Sequence, residues 1–303
     1  MSVEVLCIGH AAYDLSAFVE EFPTENGKTE TTALLESGGG PAANAAYLLS
    51  LWGMRSGFAG LVGDDHYGHC IRKEFEAVGT DLSWLEMRRD HPTPVSLIII
   101  NKRNGSRTIV NRKAPGASFA LPPTTLIRPG PRVLLFDGHE LEASLAALKA
   151  FPRAISILDA GSWRAGTAEL AGRVNYLAAS ERFALHASGL PSLKDAASQR
   201  ECLMLLRDKF KTTVVVTLGE LGLIADHGHG IRHLPAYQAQ AIDTTGAGDI
   251  FHGAMAFGVA IKLPLWEALQ LAAMTASLSV RLAGGRSSIP SLAQVREALA
   301  HAG

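Results

Sequence analysis

The stretch that decides the fold is Ala241–Ala256, which reads AIDTTGAGDIFHGAMA and continues as an apolar run to Ile261. Gly246, Ala247 and Gly248 open a predicted helix, and they leave its first backbone N–H groups uncovered because their side chains are absent or very small. Uncovered N–H donors and the helix dipole suit a phosphate, or the negative charge that develops on a phosphoryl group in transfer. These three residues are therefore predicted to form an anion hole.

Asp249 follows the anion hole directly and is the predicted catalytic base. The helix dipole is expected to keep its carboxylate ionised, which makes it a weak base but a well-placed acceptor for a hydroxyl proton. Weak basicity suffices, because phosphoryl transfer depends mainly on positioning and on charge stabilisation. Glycine and aspartate are also ordinary residues at a helix start, so this motif alone leaves a plain capped helix as an alternative.

The chain on either side of this motif alternates between short apolar runs and helical stretches. The predicted strands are Val3–Ile8, Val133–Phe136, Ile155–Leu158 and Thr213–Leu218, and the predicted helices are Ala42–Trp52, His66–Val78, Glu140–Phe151, Leu193–Phe210 and Leu265–Val280. Apolar, β-branched runs of this length are typical of buried parallel strands. The alternation predicts an α/β fold whose doubly wound, mostly parallel sheet is flanked by helices, in one domain over residues 1–303.

Two segments, 17–36 and 94–112, break this alternation. They contain Thr-rich or Ile-rich stretches with little helical period, and Asn104-Gly105 stands between two strand-like runs. An Asn-Gly pair between such runs predicts a β-hairpin. We expect these segments to form a small β-sheet that projects from the main domain and acts as a lid.

Composition narrows the classes of function. Lys and Arg total 28 against 29 Asp and Glu, so no basic excess points to nucleic acid or to an anionic membrane surface. The three cysteines are far apart and odd in number, which predicts neither a disulfide framework nor a zinc site. No signal peptide and no apolar stretch of membrane-spanning length is recognisable, so a cytoplasmic protein is expected.

Two sequence signatures carry a resemblance to a known family. Asp243–Asp249 fills every position of the pattern DTxGAGD, and Ser37–Ala46 (SGGGPAANAA) matches a glycine-rich turn that leads into a helix. Further matches are Gly9 with Asp14, Gly60–Asp65, Thr217–Gly222 and Gly284–Pro290. In these features the chain resembles the ribokinase-like sugar kinases, also called the phosphofructokinase-B family. The resemblance implies an ATP-dependent kinase that phosphorylates a hydroxyl of a small sugar, with Asp249 as the catalytic base.

The resemblance also assigns binding residues. It implies that sugar hydroxyls contact Asp14, Gly39, Gly40 and Asn44, and that ATP contacts Thr217, Gly219 and Gly222. Asp243 and Thr245 match the positions that help to bind a monovalent cation, such as K⁺, in some relatives. Many relatives hold Mg²⁺ through an Asn-x-x-Glu motif, which Ser180 and Phe183 replace here. Mg²⁺ is still expected with ATP, because phosphates and water supply most of its ligands.

The identity of the substrate stays open at this level. Within the family the chain is most similar to the ketohexose kinases, and especially to the sulfofructose kinases. In the sulfofructose kinases, residues at the places of Lys28 and Asn111 help to bind a sulfonate. The arginine that completes that pocket has no counterpart here, where His139 is smaller and not reliably charged, so an anionic sugar is only one candidate beside fructose-like ketoses, aldopentoses and sugar acids. A homodimer formed through the lids is a further expectation.

Other functional classes remain as alternatives. A nucleoside kinase uses the same fold and machinery, and a catalytically silent sugar sensor could share the fold but would not need Asp249. Gly38-x-Gly40-x-x-Ala43 fits a loose dinucleotide fingerprint, which makes an NAD-dependent oxidoreductase a distant alternative. Gly27-Lys28-Thr29 resembles the end of a P-loop, but Phe22 stands where that motif requires its first glycine, so a P-loop is not predicted.

Overall fold

The computed structural model describes residues 3–113, 118–122, 129–226 and 230–302. Its strands are β1 (Val5–Ile8), β2 (Ala12–Val19), β3 (Leu34–Gly39), β4 (Ser56–Gly63), β5 (Asp81–Arg88), β6 (Val95–Asn101), β7 (Arg107–Arg112), β8 (Val133–Phe136), β9 (Ile155–Ala160), β10 (Tyr176–Ser180), β11 (Thr213–Thr217), β12 (Leu223–Asp226) and β13 (Ile231–Leu234). Its helices are α1 (Pro41–Leu51), α2 (His66–Val78), α3 (Leu141–Ala150), α4 (Ala165–Leu170), α5 (Glu181–Ser188), α6 (Ala196–Phe210), α7 (Ala247–Ala260), α8 (Leu265–Ser279) and α9 (Leu292–Ala302).

The large sheet has nine strands in the order β13-β12-β11-β10-β9-β8-β1-β4-β5. Its strands are parallel except at one edge, where β12 and β13 are antiparallel to their neighbours. Buried apolar side chains cover both faces, which is why its strands are continuous apolar runs rather than alternating ones. The predicted α/β class with a mostly parallel sheet is thereby confirmed.

The order of the strands locates a crevice. The chain places β4 and β5 on one side of β1, and β8 with the later strands on the other side. Ligands of doubly wound sheets bind where the strand order reverses, at the carboxyl ends of the strands. Here that point lies just beyond Ile8 and Phe136, the last residues of β1 and β8.

A second, four-stranded sheet has the order β3-β2-β6-β7. Its β6–β7 hairpin turns at Asn104-Gly105 as predicted, and Gly105 has the positive φ of 68° that this turn requires. Its strands β2 and β3 begin at Ala12 and end at Gly39, so this part of the sheet extends beyond the predicted segment 17–36 at both ends. We call it the small sheet.

Helix α2 shows how local sequence sets the element boundaries. The side chain of Asp65 accepts a hydrogen bond from the backbone N–H of Gly68 and so caps the helix start. Gly79 ends the helix in the left-handed conformation, at φ 75°. The predicted bounds His66–Val78 match the observed helix. None of the helices in the described part of the chain is long and apolar enough to cross a membrane.

Candidate active site

The residues of the predicted anion hole lie at the start of α7. Gly246 caps this helix at φ 73°, a conformation that favours glycine, and no side chain of the described residues caps its first turn. The N–H of Ala247 donates to the carbonyl oxygen of Thr244 at 3.3 Å. A Cβ atom added to Gly248 would meet nothing within 4 Å. The backbone of this turn therefore faces open space that an anionic group could enter.

Asp249 lies in the first turn of α7, partly buried. The side-chain amide of Asn44 donates to its Oδ2 at 2.8 Å. Burial above all, and then the negative charge of Asp159, raise the pKa of Asp249 to about 7. This differs from the weak base expected from the helix dipole, because loss of solvation outweighs the stabilisation of the anion. A carboxylate with such a pKa is a better proton acceptor near neutral pH.

Two glycines bring Asn44 to this place. Gly39 ends β3 and Gly40 precedes α1 at φ 97°, where an added Cβ would lie 2.5 Å from the carbonyl oxygen of His10. Only glycine fits so close to the end of β1, and α1 then packs along α7. Gly253 permits that packing, since its Cβ position is 3.0 Å from the Cα of Ala45. Asn44 is thereby buried opposite Asp249.

Asp14 lies on β2, directly over the bare backbone of Gly39. An added Cβ at Gly39 would be 2.0 Å from its Oδ2. Burial raises the pKa of Asp14, and a hydrogen bond from Ser96 partly opposes this. The strand pairings align Ser37, Asp14, Ser96 and Asn111 in one row across the small sheet. Because paired residues share a face, Asn111 lies on the face that carries Asp14.

Lys28 is not brought into this row. It lies between β2 and β3, its side chain is 88% exposed, and its Nζ is 3.9 Å from Glu30. The far end of the small sheet instead contacts the segment before the anion hole. Arg107 donates through Nη1 to Oγ1 of Thr244 at 2.6 Å, and this hydroxyl donates to the carbonyl oxygen of Gly105 at 3.0 Å.

The predicted nucleotide residues follow β11. Thr217 is the last residue of that strand, and Gly219 begins a 3₁₀ turn at φ 59° with open space at its Cβ position. Gly222 has a structural requirement of its own, because an added Cβ would lie 2.0 Å from the carbonyl oxygen of Leu234. The turn thus presents backbone without side chains at the carboxyl end of the sheet.

Asp243 and Thr245, the predicted cation residues, are both buried. The carboxylate of Asp243 accepts from the N–H of Thr245 and from the N–H of Gly284, each at 2.8 Å, so it joins the motif to the loop after α8. The buried Oγ1 of Thr245 has no hydrogen-bond partner among the described residues. A free oxygen of this kind fits a cation that is bound by oxygen ligands.

The Asn-x-x-Glu position is a helix start here. Ser180 caps α5, and its hydroxyl accepts from the N–H of Phe183 at 3.1 Å and donates to the carbonyl oxygen of Gly161 at 2.9 Å. Glu181 lies in the first turn of α5, where the helix dipole favours an acid. Within the described residues, no group of three or more His, Cys, Asp or Glu side chains is arranged to hold a metal ion.

Sequence reasoning missed two further groups near the crevice, apart from His139, which belongs to the first group. Asp137, just after β8, accepts from the N–H groups of His10, Ala42 and His139 at 2.8, 3.2 and 2.9 Å. The rings of His10 and His139 stack with centroids 4.5 Å apart. Burial, above all, lowers the pKa of His139, so its imidazole is neutral near pH 7. A charged polar residue directly after an apolar strand is the signal that could have identified Asp137.

The second group is a buried ion pair on α7. Nδ1 of His252 lies 2.8 Å from Oδ2 of Asp159, the residue before the last of β9. Burial is the largest single influence and lowers the pKa of His252, but the charge of Asp159, its hydrogen bond and the charge of Asp249 together outweigh burial, so the pKa is raised. His252 is part of the signature segment, yet the pairing joins distant parts of the chain and leaves no local pattern.

Comparisons with known proteins identify the family of the chain. The family model described as pfkB family carbohydrate kinase matches residues 3–292. The chain is 25% identical over 275 residues to ribokinase from Haemophilus influenzae, covering 87% of this chain and 88% of the relative. It is 27% identical over 278 residues to aminoimidazole riboside kinase from Salmonella typhimurium, covering 84% and 86%.

A solved structure shows the same fold. The crystal structure of ribokinase from Cryptococcus neoformans var. grubii in complex with ADP has a TM-score of 0.81 to this chain at 25% identity, and covers 98% of this chain and 100% of its own. The family match extends over nearly all of the sequence and includes both signature segments. The chain therefore belongs to the pfkB family of carbohydrate kinases.

Proposed function

We propose that this kinase transfers the γ-phosphoryl group of ATP to a hydroxyl of a small sugar, with Asp249 as the catalytic base. The observation that carries the proposal is the placement of Asp249, a partly buried carboxylate with a pKa raised to about 7, in the first turn of a helix that has no side-chain cap. A proton acceptor thus adjoins a site for the transferred anion.

The reaction follows from this placement. The sugar hydroxyl oxygen forms a bond to the γ-phosphorus while the bond from that phosphorus to the β–γ bridging oxygen breaks, and ADP leaves. The hydroxyl proton passes to Asp249. Asn44 holds one carboxylate oxygen of Asp249, so the other oxygen is available for this proton. The N–H groups at Gly246–Gly248 stabilise the charge in transfer, and MgATP is the phosphoryl-donating substrate.

The proposal assigns the remaining residues to the two substrates. Asp14, Asn44 and the bare backbone of Gly39 and Gly40 bind sugar hydroxyls, since short polar groups suit polyol recognition. The backbone after Thr217, at Gly219 and Gly222, contacts the nucleotide. Asp243 and Thr245, with carbonyl groups of the loop 283–288, would hold K⁺, whose charge would add to the positive potential at the anion hole.

A ketose-like sugar is the favoured acceptor, and a nucleoside is the second candidate. The match to aminoimidazole riboside kinase over 84% of the chain favours including nucleosides. A silent sensor is disfavoured because it would not need the carboxylate of Asp249 in the first turn of a helix that has no side-chain cap. We also propose that the small sheet closes over the sugar as a lid, because its hairpin already contacts Thr244 beside the anion hole.

A homodimer is proposed on the outer face of the small sheet. Leu97 and Val110 pair across β6 and β7, and together with Leu34 they expose large apolar surfaces on one face. Such a surface is typical of an interaction site. Sedimentation of the wild type and of a Leu97→Lys variant tests this, and an unchanged monomer in both would overturn it.

The function is tested by a screen that couples ADP formation to an optical signal. Sugars, sugar acids, sulfosugars and nucleosides are compared at fixed MgATP, beside an Asp249→Asn variant. We expect one class of acceptor to be phosphorylated and the variant to bind ATP and sugar almost normally, with turnover reduced about a hundredfold or more. A folded variant with near-normal turnover would exclude Asp249 as the base.

A further inference from the structure

Arg286, in the loop after α8, is a buried charged residue that the proposed reaction does not use. It is only 5% exposed. Its guanidinium lies 5.0 Å from the ring centroid of Tyr47 and 4.6 Å from that of Phe75. Burial of a charge is unfavourable unless hydrogen bonds and opposite charges compensate, so its contacts indicate what the residue is for.

Those contacts connect Arg286 to the proposed base through one residue, Asn44. Nε of Arg286 donates to Oδ1 of Asn44 at 3.2 Å, and Nδ2 of Asn44 donates to Oδ2 of Asp249 at 2.8 Å. A guanidinium can only donate, so it requires the oxygen of the amide on its own side. The NH₂ group must then point at the carboxylate. The opposite amide orientation would set two donors against each other and two oxygens against each other.

A second nitrogen of the Arg286 guanidinium is connected to the small sheet through Glu74. Nη1 donates to Oε2 of Glu74 at 2.7 Å, and both carboxylate oxygens of Glu74 accept from the N–H of Gly38, at 2.9 and 3.0 Å. Gly38 is close enough that an added Cβ would lie 2.3 Å from Nη1. Nη2 of Arg286 is buried and has no hydrogen-bond partner among the described residues. The guanidinium therefore joins α1, α2 and β3 at the edge of the sugar pocket.

We infer that Arg286 is a positioning residue of the phosphoryl transfer: it locks the side-chain amide of Asn44, which in turn holds one oxygen of Asp249 and leaves the other aimed at the sugar hydroxyl. This inference rests on the proposed role of Asp249. Orientation of a base within hydrogen-bond distance of its proton is what general base catalysis requires. The residue acts through Asn44 and does not need to touch either substrate.

The test is a double-mutant cycle between Arg286→Met and Asn44→Ala, with kcat and KM measured for MgATP and for the best acceptor of the screen. We expect Arg286→Met to lower kcat about tenfold or more and to leave KM for ATP within about twofold. In the Asn44→Ala background the same substitution should change kcat by less than about twofold, because its effect passes through Asn44.

The pH dependence gives a readout that a merely structural role would not produce. The pKa of Asp249 depends on the charges of Asp159, His252 and Arg107. It depends also on Asn44, whose hydrogen bond lowers it. Arg286→Met frees the amide to turn, so the acid limb of the kcat profile should move to higher pH. Arg72→Met is the matched control, because Arg72 forms an exposed ion pair with Glu76 on α2.

A further variant keeps the test decisive if Arg286→Met does not fold. Arg286→Lys retains the charge beside Glu74 and lacks the planar donor set, so it should fold and still lower kcat. Additive losses in the cycle, or an Arg286→Lys variant with wild-type kcat and pH profile, would overturn the inference. Near-normal turnover of Asp249→Asn would instead remove the proposed function itself, so the two failures are distinguishable.

Discussion

His252 and Asp159 form a buried ion pair, with 2.8 Å between Nδ1 and Oδ2, one turn of α7 beyond the proposed base. The pair influences Asp249 in two opposite ways. The charge of Asp159 raises the pKa of Asp249, whereas the charge of His252 lowers it. The ionisation of the base thus depends on the balance between two neighbours that need not contact either substrate.

The first prediction is that the two partners shift the pH profile in opposite directions. Wild-type kcat/KM should rise with pH through about 7, since Asp249 must lose its proton to act as a base. Asp159→Asn removes the larger of the two effects and should move this limb to lower pH. His252→Gln removes a positive charge and should move it to higher pH. Shifts of the same sign, or none, would contradict the proposed coupling.

A second prediction concerns stability. The pKa of Asp249 is raised from an ordinary value of 3.8 to about 7, so the folded state binds this proton more tightly than the unfolded state does. Ionisation then destabilises the folded protein progressively between these two pH values. Asp249→Asn removes the penalty, so its Tm should exceed that of the wild type increasingly from pH 4 to pH 7. A Tm difference that is constant over this range would contradict the raised pKa.

The third prediction separates activity from stability at Gly248. An added Cβ would meet nothing within 4 Å, so Gly248→Ala should fold normally and gain up to about 1 kcal/mol of stability from the better helix former. The methyl group would, however, enter the space in front of the anion hole. We expect kcat to fall about tenfold or more while Tm is unchanged or higher. Gly222→Ala should show the reverse pattern in Tm, because its Cβ position lies 2.0 Å from the carbonyl oxygen of Leu234.

A fourth prediction tests the small sheet as a lid. Addition of the true acceptor should slow hydrogen exchange in residues 17–36 and 94–112, because closure protects their backbone N–H groups. The strand β8 (Val133–Phe136) is fully buried already and should change little. Protection that is equal in both regions, or absent from the small sheet, would count against a lid.

The fifth prediction concerns substrate charge. Asn111 shares a face with Asp14, whereas Lys28 is exposed, so Asn111→Ala should affect every acceptor more than Lys28→Ala does. If the acceptor is anionic, Lys28→Ala should lower its kcat/KM about tenfold or more, as expected for a charge-assisted hydrogen bond. The kcat/KM for a neutral ketose should be unaffected by Lys28→Ala. An uncharged best substrate with unaltered kinetics in Lys28→Ala would exclude an anion pocket at this residue.

Much of the fold could be predicted from sequence, because its strongest signals are local. The cap Asp65 and the terminating Gly79 define α2, and the apolar run Val133–Phe136 is β8. The strands β4 and β10 were not predicted. Their small residues and complete or near-complete burial remove both the alternation and the β-branched enrichment that identify strands.

Without the family resemblance, the site was predictable only where its residues are close in sequence. Gly246, Gly248 and Asp249 share one helix turn, so their chemistry is visible in the motif itself. The ion pair of Arg286 with Glu74 joins residues 212 positions apart, and no periodicity marks such a pair. The raised pKa of Asp249 was also missed, because burial depends on the packed structure whereas the helix dipole can be inferred from the sequence alone.

The contact of Thr244 with the β6–β7 hairpin has a consequence for the pace of turnover. Gly105 and Arg107 both bind this one hydroxyl, so the tip of the small sheet is fastened to the segment that leads into the anion hole. If the small sheet is the lid that we propose, a phosphorylated product that leaves past it requires these hydrogen bonds to open. Thr244→Val removes both of them and should therefore raise the rate of product release.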